Sequence, residues 1–185
     1  MQLKPVTEIQ NRNGIALITG DAWTLEDDLR RFYEWNVARE TFCINRSITA
    51  PYIKGTPEHW GQADAEEAIW FAKWVEENHP GTLRHTLKPG EGFNVLWSPD
   101  GQDVDKWQGG SLYMAMLICE ALGYDMIILA GCPMLSGGHW YDKDVKVEWK
   151  LETFDFWEKQ RAKHPTVRSM SGYTRYLFGG PEEWG

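Results

Sequence analysis

Short apolar runs alternate along the chain with longer segments in which apolar residues recur every three or four positions. A continuous apolar run is typical of a strand that is buried on both faces of a parallel sheet. Recurrence every three or four positions is typical of a helix with one buried face. The pattern predicts strands at residues 15–19, 41–44, 83–87, 93–97, 126–130 and 167–170.

The other apolar positions predict helices, and several of these have recognisable ends. Thr24 followed by Asp27 has the form of a capping box, and apolar residues recur at helical spacing after it. Thr56-Pro57 has the composition of the N-cap and first position of a short helix. Further helices are predicted at about residues 62–78, at 111–122 ending at Gly123, from 147 to about 163, and, as a closing turn or helix, at 173–177.

Strands that alternate with helices at this spacing favour an α/β fold, with a mostly parallel central sheet and helices on both faces. Residues 1–185 show no linker or repeat, so one domain is expected. Ligands of such folds bind beyond the carboxyl ends of the strands. Three predicted strands end in small or polar residues, at Gly20-Asp21, Asn45-Arg46 and Gly131-Cys132-Pro133. If these strands are neighbours, their ends share one crevice.

The net charge, the cysteines and the lack of long apolar segments restrict the kinds of partner and the cellular location that we expect. The net charge of −8 leaves no basic excess to bind a nucleic acid, although a few local groups can still hold a small anion. The three cysteines are odd in number and lie in apolar runs, which indicates reduced, buried thiols. With no signal segment and no long apolar stretch, we expect a cytoplasmic protein without a membrane partner.

Tryptophan is unusually frequent, with 11 in 185 residues, and most of these side chains lie among polar residues. Packing in the core and at its rim explains such a set. Aromatic side chains also line ligand grooves and contacts between subunits, so a homo-oligomer is an open alternative.

Gly20 and Asp21 stand between the first long strand and the first helix. The glycine permits close approach of a ligand to the backbone, and a helix N-terminus offers N–H groups to an anion. The carboxylate of Asp21 would repel a phosphate directly. It would instead bind a ribose hydroxyl, hold a phosphate through Mg²⁺, or cap the helix.

Two further segments have the chemistry of a nucleotide site. Asn45 at a strand end can offer its amide to a base or a sugar, and Arg46 can pair with a phosphate; a turn stabilised by Asn45 is the alternative. Gly109, Gly110 and Ser111 precede an apolar helix and suit a phosphate or an oxyanion at its N-terminus. Glycines required for close packing of this helix on the sheet would produce the same sequence.

His139 is the candidate general acid or base, because it lies in a glycine-bordered loop after the strand at 126–130. Tyr141 could assist it, and an exposed histidine without a role is the alternative. No set of His, Cys and Asp residues has the spacing of a metal site. The absence of a G-x-S-x-G elbow and of a P-loop disfavours a serine hydrolase and a Walker-type NTPase.

Three stretches resemble one known superfamily, in the same order along the chain. "ALITGDAWTLED" resembles the strand, turn and helix that open the DUF115 and MptE-like proteins and the Campylobacter-type CMP-sialic-acid sialyltransferases. "TFCIN" resembles their second strand, and "GGSLYMAMLICEALGYDMIILAGCPM" resembles their most specific stretch. The superfamily also includes small phage-encoded members. Asp21-Ala22-Trp23 and Cys132-Pro133 depart from the usual Asn-Gly-Pro and Ile-Asp.

The resemblance implies an α/β, Rossmann-like three-layer sandwich that binds a nucleotide or a nucleotide-activated donor at its strand ends. It also implies a set of nucleotide-contacting positions. These are Gly20, Asn45, Gly110, Ser111 and Gly131.

Three functions follow as hypotheses. The first is a transferase that uses a nucleotide or nucleotide-sugar donor, of the glycosyl- or pyrophosphoryl-transfer type. The second is a protein that binds or sequesters a nucleotide without catalysis, since the chain has little room for an acceptor-binding lid and no clear acid–base pair. The third is an interaction module that buries its tryptophans against a partner or a second copy.

Overall fold

One parallel sheet organises the chain. The computed structural model describes residues 4–5, 12–63, 65–97 and 109–183. Within these ranges eight strands form one sheet in which every pairing is parallel, in the order β1-β6-β5-β4-β3-β2-β7-β8. The strands are β1 (Lys4–Pro5), β2 (Ile15–Thr19), β3 (Glu40–Ile44), β4 (His59–Gly61), β5 (Leu83–Thr86), β6 (Val95–Leu96), β7 (Met126–Ala130) and β8 (Val167–Ser169).

Helices cover both faces of the sheet and make three layers, which confirms the α/β, Rossmann-like prediction. The α-helices are α1 (Leu25–Glu34), α2 (Ala65–Asn78), α3 (Gly110–Leu122), α4 (Leu151–Gln160) and α5 (Gly172–Phe178). Side chains of α1 and α2 pack in apolar clusters on one face. Side chains of α3, α4 and α5 share the largest cluster on the other face.

Alternation along the strands explains why both faces are apolar. Leu17 lies in the cluster of α1, whereas its neighbours Ala16 and Ile18 lie in the cluster of α3. Successive side chains of a strand point to opposite faces, so a strand that is covered on both sides must be apolar throughout. The helix α3 is buried on most of its circumference and ends at Gly123, whose left-handed φ of 83° stops it as predicted.

The structure corrects three local predictions. Thr56-Pro57 does not start a helix but leads into β4, which the apolar pattern does not reveal because it is only three residues long. Thr24 is the N-cap of α1, yet its side chain makes no capping hydrogen bond, and its hydroxyl instead lies 3.3 Å from the Ser171 hydroxyl oxygen. Val147 lies outside α4, and its N–H donates to the Gly137 carbonyl.

Two compositional expectations can be compared with the described residues. Cys43, Cys119 and Cys132 are all buried and free, as predicted. No helix in the described part of the chain is both long enough and apolar enough to cross a bilayer.

A chain of buried polar groups crosses the sheet between β3 and β5. Tyr124 donates its hydroxyl proton to Glu40, and the Nε2 of His59 lies 3.0 Å from the Tyr124 oxygen. The Nδ1 of His59 lies 3.0 Å from the Nε2 of His85. Because Tyr124 donates to Glu40, it accepts from His59, and the second ring nitrogen of His59 bonds to His85.

This polar chain predicts loss of stability in acid. Complete burial, followed by the charge of His59, holds the pKa of His85 well below its usual 6.5. Hydrogen bonds from His59 and Tyr124 and the charge of Arg12 lower the pKa of Glu40 to about 2, against the opposing effect of burial. Unfolding therefore takes up protons at His85 below about pH 6.5 and at Glu40 below about pH 4.5.

We expect the free energy of unfolding to fall by about 1.4 kcal/mol per pH unit for each such proton. Urea unfolding at a series of pH values measures this slope. His85→Gln should flatten it between about pH 6.5 and 5, whereas His139→Gln, outside this network, should leave it as in the wild type. Equal slopes in the wild type and His85→Gln would contradict the prediction.

Candidate functional site

A cavity of about 350 Å³ opens at the carboxyl ends of β3, β2 and β7, which are adjacent in the sheet. Parallel strands place their carboxyl ends at one edge, so the three predicted strand ends meet as expected. Eight of the ten predicted site residues line this cavity: Gly20, Asp21, Asn45, Gly109, Gly110, Ser111, Gly131 and His139.

Arg46 and Tyr141 lie beside the cavity rather than in its lining. The guanidinium carbon of Arg46 lies 5.1 Å from the centre of the Tyr141 ring. That ring stacks on His139 with 4.9 Å between ring centres and 2° between ring planes. Arg46 and Tyr141 therefore lie next to His139 but outside the described cavity lining.

Close packing explains the glycines at two strand ends. A Cβ on Gly20 would lie 2.5 Å from the Cys132 sulfur and 2.6 Å from the Gly131 carbonyl oxygen. Gly131 has a φ of +66°, and a Cβ there would lie 2.7 Å from the Gly20 oxygen. Each glycine is thus required by the other strand end, and a ligand is not needed to explain either.

Two helices, α1 and α3, begin near the strand ends. The N-terminus of α3 is the more favourable of the two for binding an anion. The first turn of α3 carries no acidic residue. Ser111 accepts a hydrogen bond from the Ala63 N–H at 3.0 Å, which leaves its own hydroxyl proton for another acceptor. The positive end of the helix dipole and this hydroxyl favour negative charge at this wall of the cavity.

At the N-terminus of α1, by contrast, carboxylate side chains are already present. Asp28 accepts a hydrogen bond from the Gly131 N–H at 2.9 Å and another from the Ser171 hydroxyl at 2.6 Å. Glu26 and Asp27 also lie in the first turn. An anion placed here would meet like charges, which disfavours the start of α1 as a phosphate site.

Asp21 faces the cavity from the end of β2. Its Oδ2 accepts a hydrogen bond from the Arg46 N–H at 3.2 Å, so it caps the turn after β3 and not helix α1. Its Oδ1 is buried and has no hydrogen-bond partner among the described residues. Burial raises the pKa of Asp21 to about 7, against the opposing effects of the Arg46 N–H and of the Arg46 charge.

The loop that carries His139 is held on both sides. His139 forms an antiparallel bridge with Ala22, and the Trp140 N–H donates to the Asp21 carbonyl at 2.9 Å. Gly137 bridges to Val147 on its other side. These bridges place His139 in the cavity wall next to the end of β2, where it can exchange a proton with a bound group.

The position of the opposite wall was not predicted from the sequence, although an aromatic lining of a ligand groove is one of the explanations offered above for the tryptophans. This wall is formed by the chain after β7 and by α4, and most of its side chains are apolar. Its members are Met134, Leu135, Val147, Trp149, Thr153 and Trp157. The helical spacing of Trp157 indicates only a buried position, and no sequence pattern indicates that this wall faces the strand ends.

The described lining holds few ionisable groups. No lysine or arginine side chain is among the described residues that line the cavity, and Asp21 is their one carboxylate. The described residues contain no group of three or more His, Cys, Asp or Glu that could hold a metal ion. Within the described part of the lining, charge is therefore set mainly by Asp21, His139 and the start of α3.

Two solved structures resemble this chain closely enough to compare folds. The sialyltransferase CST-II, in complex with a trisaccharide acceptor and CMP, aligns with a TM-score of 0.59 at 12% identity, over 90% of this chain and 85% of that chain. CstII from Campylobacter jejuni, in complex with a substrate analogue, cytidine-5'-monophosphate, aligns with a TM-score of 0.54 at 15% identity, over 90% and 84%. The chain shares the fold of these sialyltransferases.

At such low identities the likeness shows the fold and not the activity. No protein-family model and no curated protein sequence matches this chain. The sequence resemblance to the DUF115 and MptE-like proteins and to phage-encoded members therefore stays a prediction.

Proposed function

We propose that this chain is a transferase that binds a nucleotide or nucleotide-sugar donor in the cavity at the ends of β3, β2 and β7. The observation that carries the proposal is the convergence of eight predicted site residues on one cavity. The fold shared with a CMP-bound sialyltransferase adds support. A cavity of about 350 Å³ suits a small ligand held largely out of water.

The cavity walls favour one orientation of the donor. The apolar wall that includes Met134, Leu135 and Trp149 suits the flat face of a base. The start of α3, with the Ser111 hydroxyl, suits the phosphate. Asn45, at the end of β3, has amide groups that can bind a sugar or base edge.

In this arrangement the oxygen of an acceptor hydroxyl bonds to the donor sugar carbon while the bond from that carbon to the phosphate oxygen breaks, and His139 accepts the hydroxyl proton. The helix dipole of α3 stabilises the negative charge that develops on the leaving phosphate. Glycosyl transfer to a hydroxyl is the reaction that these roles fit best. Pyrophosphoryl transfer would place a larger charge in a cavity whose described lining has no lysine or arginine.

Binding without transfer is the second candidate, and the same shortage of cationic side chains favours it. Little in the described lining would compensate the charge of a departing phosphate. This function requires the same cavity and the same nucleotide, so turnover distinguishes it from the first. The tryptophan-rich interaction module predicts a stable oligomer and no change in melting temperature with nucleotides.

We expect CMP or another nucleoside monophosphate to raise the melting temperature, and a labelled nucleotide-sugar to be consumed. His139→Ala should lower turnover by roughly 10²–10⁴-fold with little change in nucleotide affinity. His79→Ala, at the end of α2 and outside the cavity lining, is the matched control and should retain wild-type turnover.

Three outcomes decide between the candidates. Turnover that depends on His139 supports the transferase. Binding without product for any nucleotide-sugar supports the non-catalytic alternative. If no nucleotide changes the melting temperature or binds in calorimetry, the proposed function is wrong.

A further inference from the structure

We propose that Trp60, which lies outside the described cavity lining, positions Asn45 for the nucleotide by fixing the peptide group between Asn45 and Arg46. The inference rests on the proposed function, because it concerns the same cavity and the same class of ligand. It adds to the site a positioning residue, one that touches no ligand and acts only through the side chain of Asn45.

The conformation and surroundings of Asn45 are the first argument. Asn45 has a φ of +52°, in the left-handed region that residues with a Cβ rarely adopt. It lines the cavity at the end of β3 and is only half-buried. Its amide is reachable by solvent and makes no hydrogen bond within the described residues, so it is available to a ligand. Where this amide points depends on the strained backbone that carries it.

Two side chains hold the peptide group that follows Asn45. Its carbonyl oxygen accepts a hydrogen bond from the Trp60 indole N–H at 2.8 Å. Its N–H, which belongs to Arg46, donates to the Asp21 carboxylate at 3.2 Å. The C=O and N–H of a trans peptide point in opposite directions, so the two bonds hold the peptide plane from both sides. Rotation of this peptide would break both bonds, and the neighbours of Asn45 therefore maintain its left-handed conformation.

The Trp60 ring is itself fixed, so it can serve as an anchor. Trp60 is 0% exposed and lies in β4, which pairs with β3. Its ring stacks on Phe93 with 5.6 Å between ring centres and meets the edge of Phe71 at 5.7 Å. A buried indole N–H requires a partner, and within the described residues that partner is the Asn45 carbonyl. Trp60 thus fixes the Asn45 peptide relative to the sheet.

The competing explanation is that Asn45 only tolerates a left-handed turn and that the indole bond only stabilises the fold. The two explanations differ in how the indole N–H affects ligand binding. If Trp60 positions the amide, loss of the N–H lets the peptide rotate, and fewer molecules have a correctly placed amide. The apparent Kd is the intrinsic Kd divided by the fraction of molecules that can bind, so it rises.

Calorimetric titration of the full chain with CMP tests the proposal in Trp60→Phe. Phenylalanine keeps an aromatic ring in this apolar cluster but has no N–H to donate. Loss of one buried hydrogen bond should reduce the binding-competent fraction to about a tenth, so we expect the Kd for CMP to rise about tenfold.

Trp74→Phe is the matched control for this substitution. Trp74 packs against the same apolar cluster, stacks on Phe71 and lies outside the described cavity lining. The change removes the same atoms from a ring that does not contact Asn45. We expect the Kd for CMP to remain that of the wild type.

A second background separates positioning from stability. Asn45→Gly keeps the left-handed φ and lacks the amide. We expect it to bind CMP more weakly than the wild type, and the further change Trp60→Phe to alter its Kd by less than about twofold. If Trp60→Phe raises the Kd about tenfold in this background as well, its effect does not pass through the Asn45 amide, and the inference is wrong.

The results separate this inference from the proposed function. Equally tight CMP binding in the wild type and Trp60→Phe overturns the role of Trp60 and leaves the function intact. Failure of every nucleotide to bind overturns both. If Trp60→Phe fails to fold, benzothienylalanine at position 60 decides, because it replaces the indole N–H with sulfur at nearly unchanged shape.

Discussion

Gly131→Ala is expected to lower the free energy of unfolding by about 3 kcal/mol. Gly131 has a left-handed φ of +66°, which costs a residue with a Cβ about 1–2 kcal/mol. The new Cβ would also lie 2.7 Å from the Gly20 carbonyl oxygen and 2.9 Å from the Leu25 Cβ. These neighbours are the end of β2 and the first residue of α1, so relief of the clash must displace backbone.

Gly55→Ala is the matched control for this substitution. Gly55 has a φ of +87°, but a Cβ there meets no atom within 4 Å. Gly55→Ala therefore measures only the cost of a left-handed φ, and we expect it to lower the free energy of unfolding by about 1–2 kcal/mol. Urea unfolding of both variants gives the cost of the clash as the difference between them. Equal losses would mean that the ends of β2 and β7 separate freely, which would contradict the close packing of Gly20 against Gly131 described above.

Asp28→Ala is expected to cost about 3–5 kcal/mol, because it removes a partner of three groups at once. The Asp28 carboxylate accepts from the Gly131 N–H at 2.9 Å, the Ser171 hydroxyl at 2.6 Å and the Arg31 guanidinium at 2.6 Å. Asp28 itself is 1% exposed. Alanine leaves the Gly131 N–H without an acceptor in the space between α1, β7 and the segment before α5, and it removes the shorter of two contacts from Ser171 and from Arg31, which keep Thr24 and the Met170 carbonyl as partners.

Asp27→Ala is the control for that experiment. Asp27 is the adjacent residue on α1, its side chain is 72% exposed, and its contact with Arg30 is a surface ion pair. We expect a change of at most about 0.5 kcal/mol. Denaturant unfolding compares the two variants directly, and Asp28→Asn should fall between them because its amide keeps an acceptor oxygen. A loss in Asp28→Ala no larger than in Asp27→Ala would show that the buried carboxylate does not join these elements.

The centre of the sheet was predictable because burial on both faces leaves no choice of residue type. In β2 and β7 every residue from Ala16 to Ile18 and from Ile127 to Ala130 is buried, and the sequence there is an uninterrupted apolar run. The ends of these strands could be located for the same reason, since the first polar or glycine residue marks the point where the sheet stops.

The strand β4 could not be found in this way. It is only three residues long, its side chains His59 and Trp60 do not form an apolar run, and it follows a proline that also suits a helix start. What holds it in the sheet is distant in sequence: His59 bonds to His85 and Tyr124, and Trp60 donates to the Asn45 carbonyl. Only the assembled fold contains this information.

One side of the cavity, formed by the strand ends, was predictable from the sequence, whereas the wall formed by α4 was not, and the difference has a physical reason. Residues at strand ends share an edge because the sheet is parallel, so Gly20, Asn45 and Gly131 could be grouped from the sequence alone. The wall from α4 reaches them through a connection whose path has no sequence signature. The Asp28 carboxylate at the Gly131 N–H was equally hidden, because its helical position indicates only burial.

The strand order has a consequence for synthesis of the chain on the ribosome. β2 lies between β3 and β7, and Ile15 pairs with Met126. A nascent chain can therefore dock β3 on β2 early but must leave the other edge of β2 without a partner until residues 126–130 emerge. That open edge is apolar on both faces and is a template for association with other nascent chains. A pause in translation at any point before residues 126–130 emerge would lengthen this exposure.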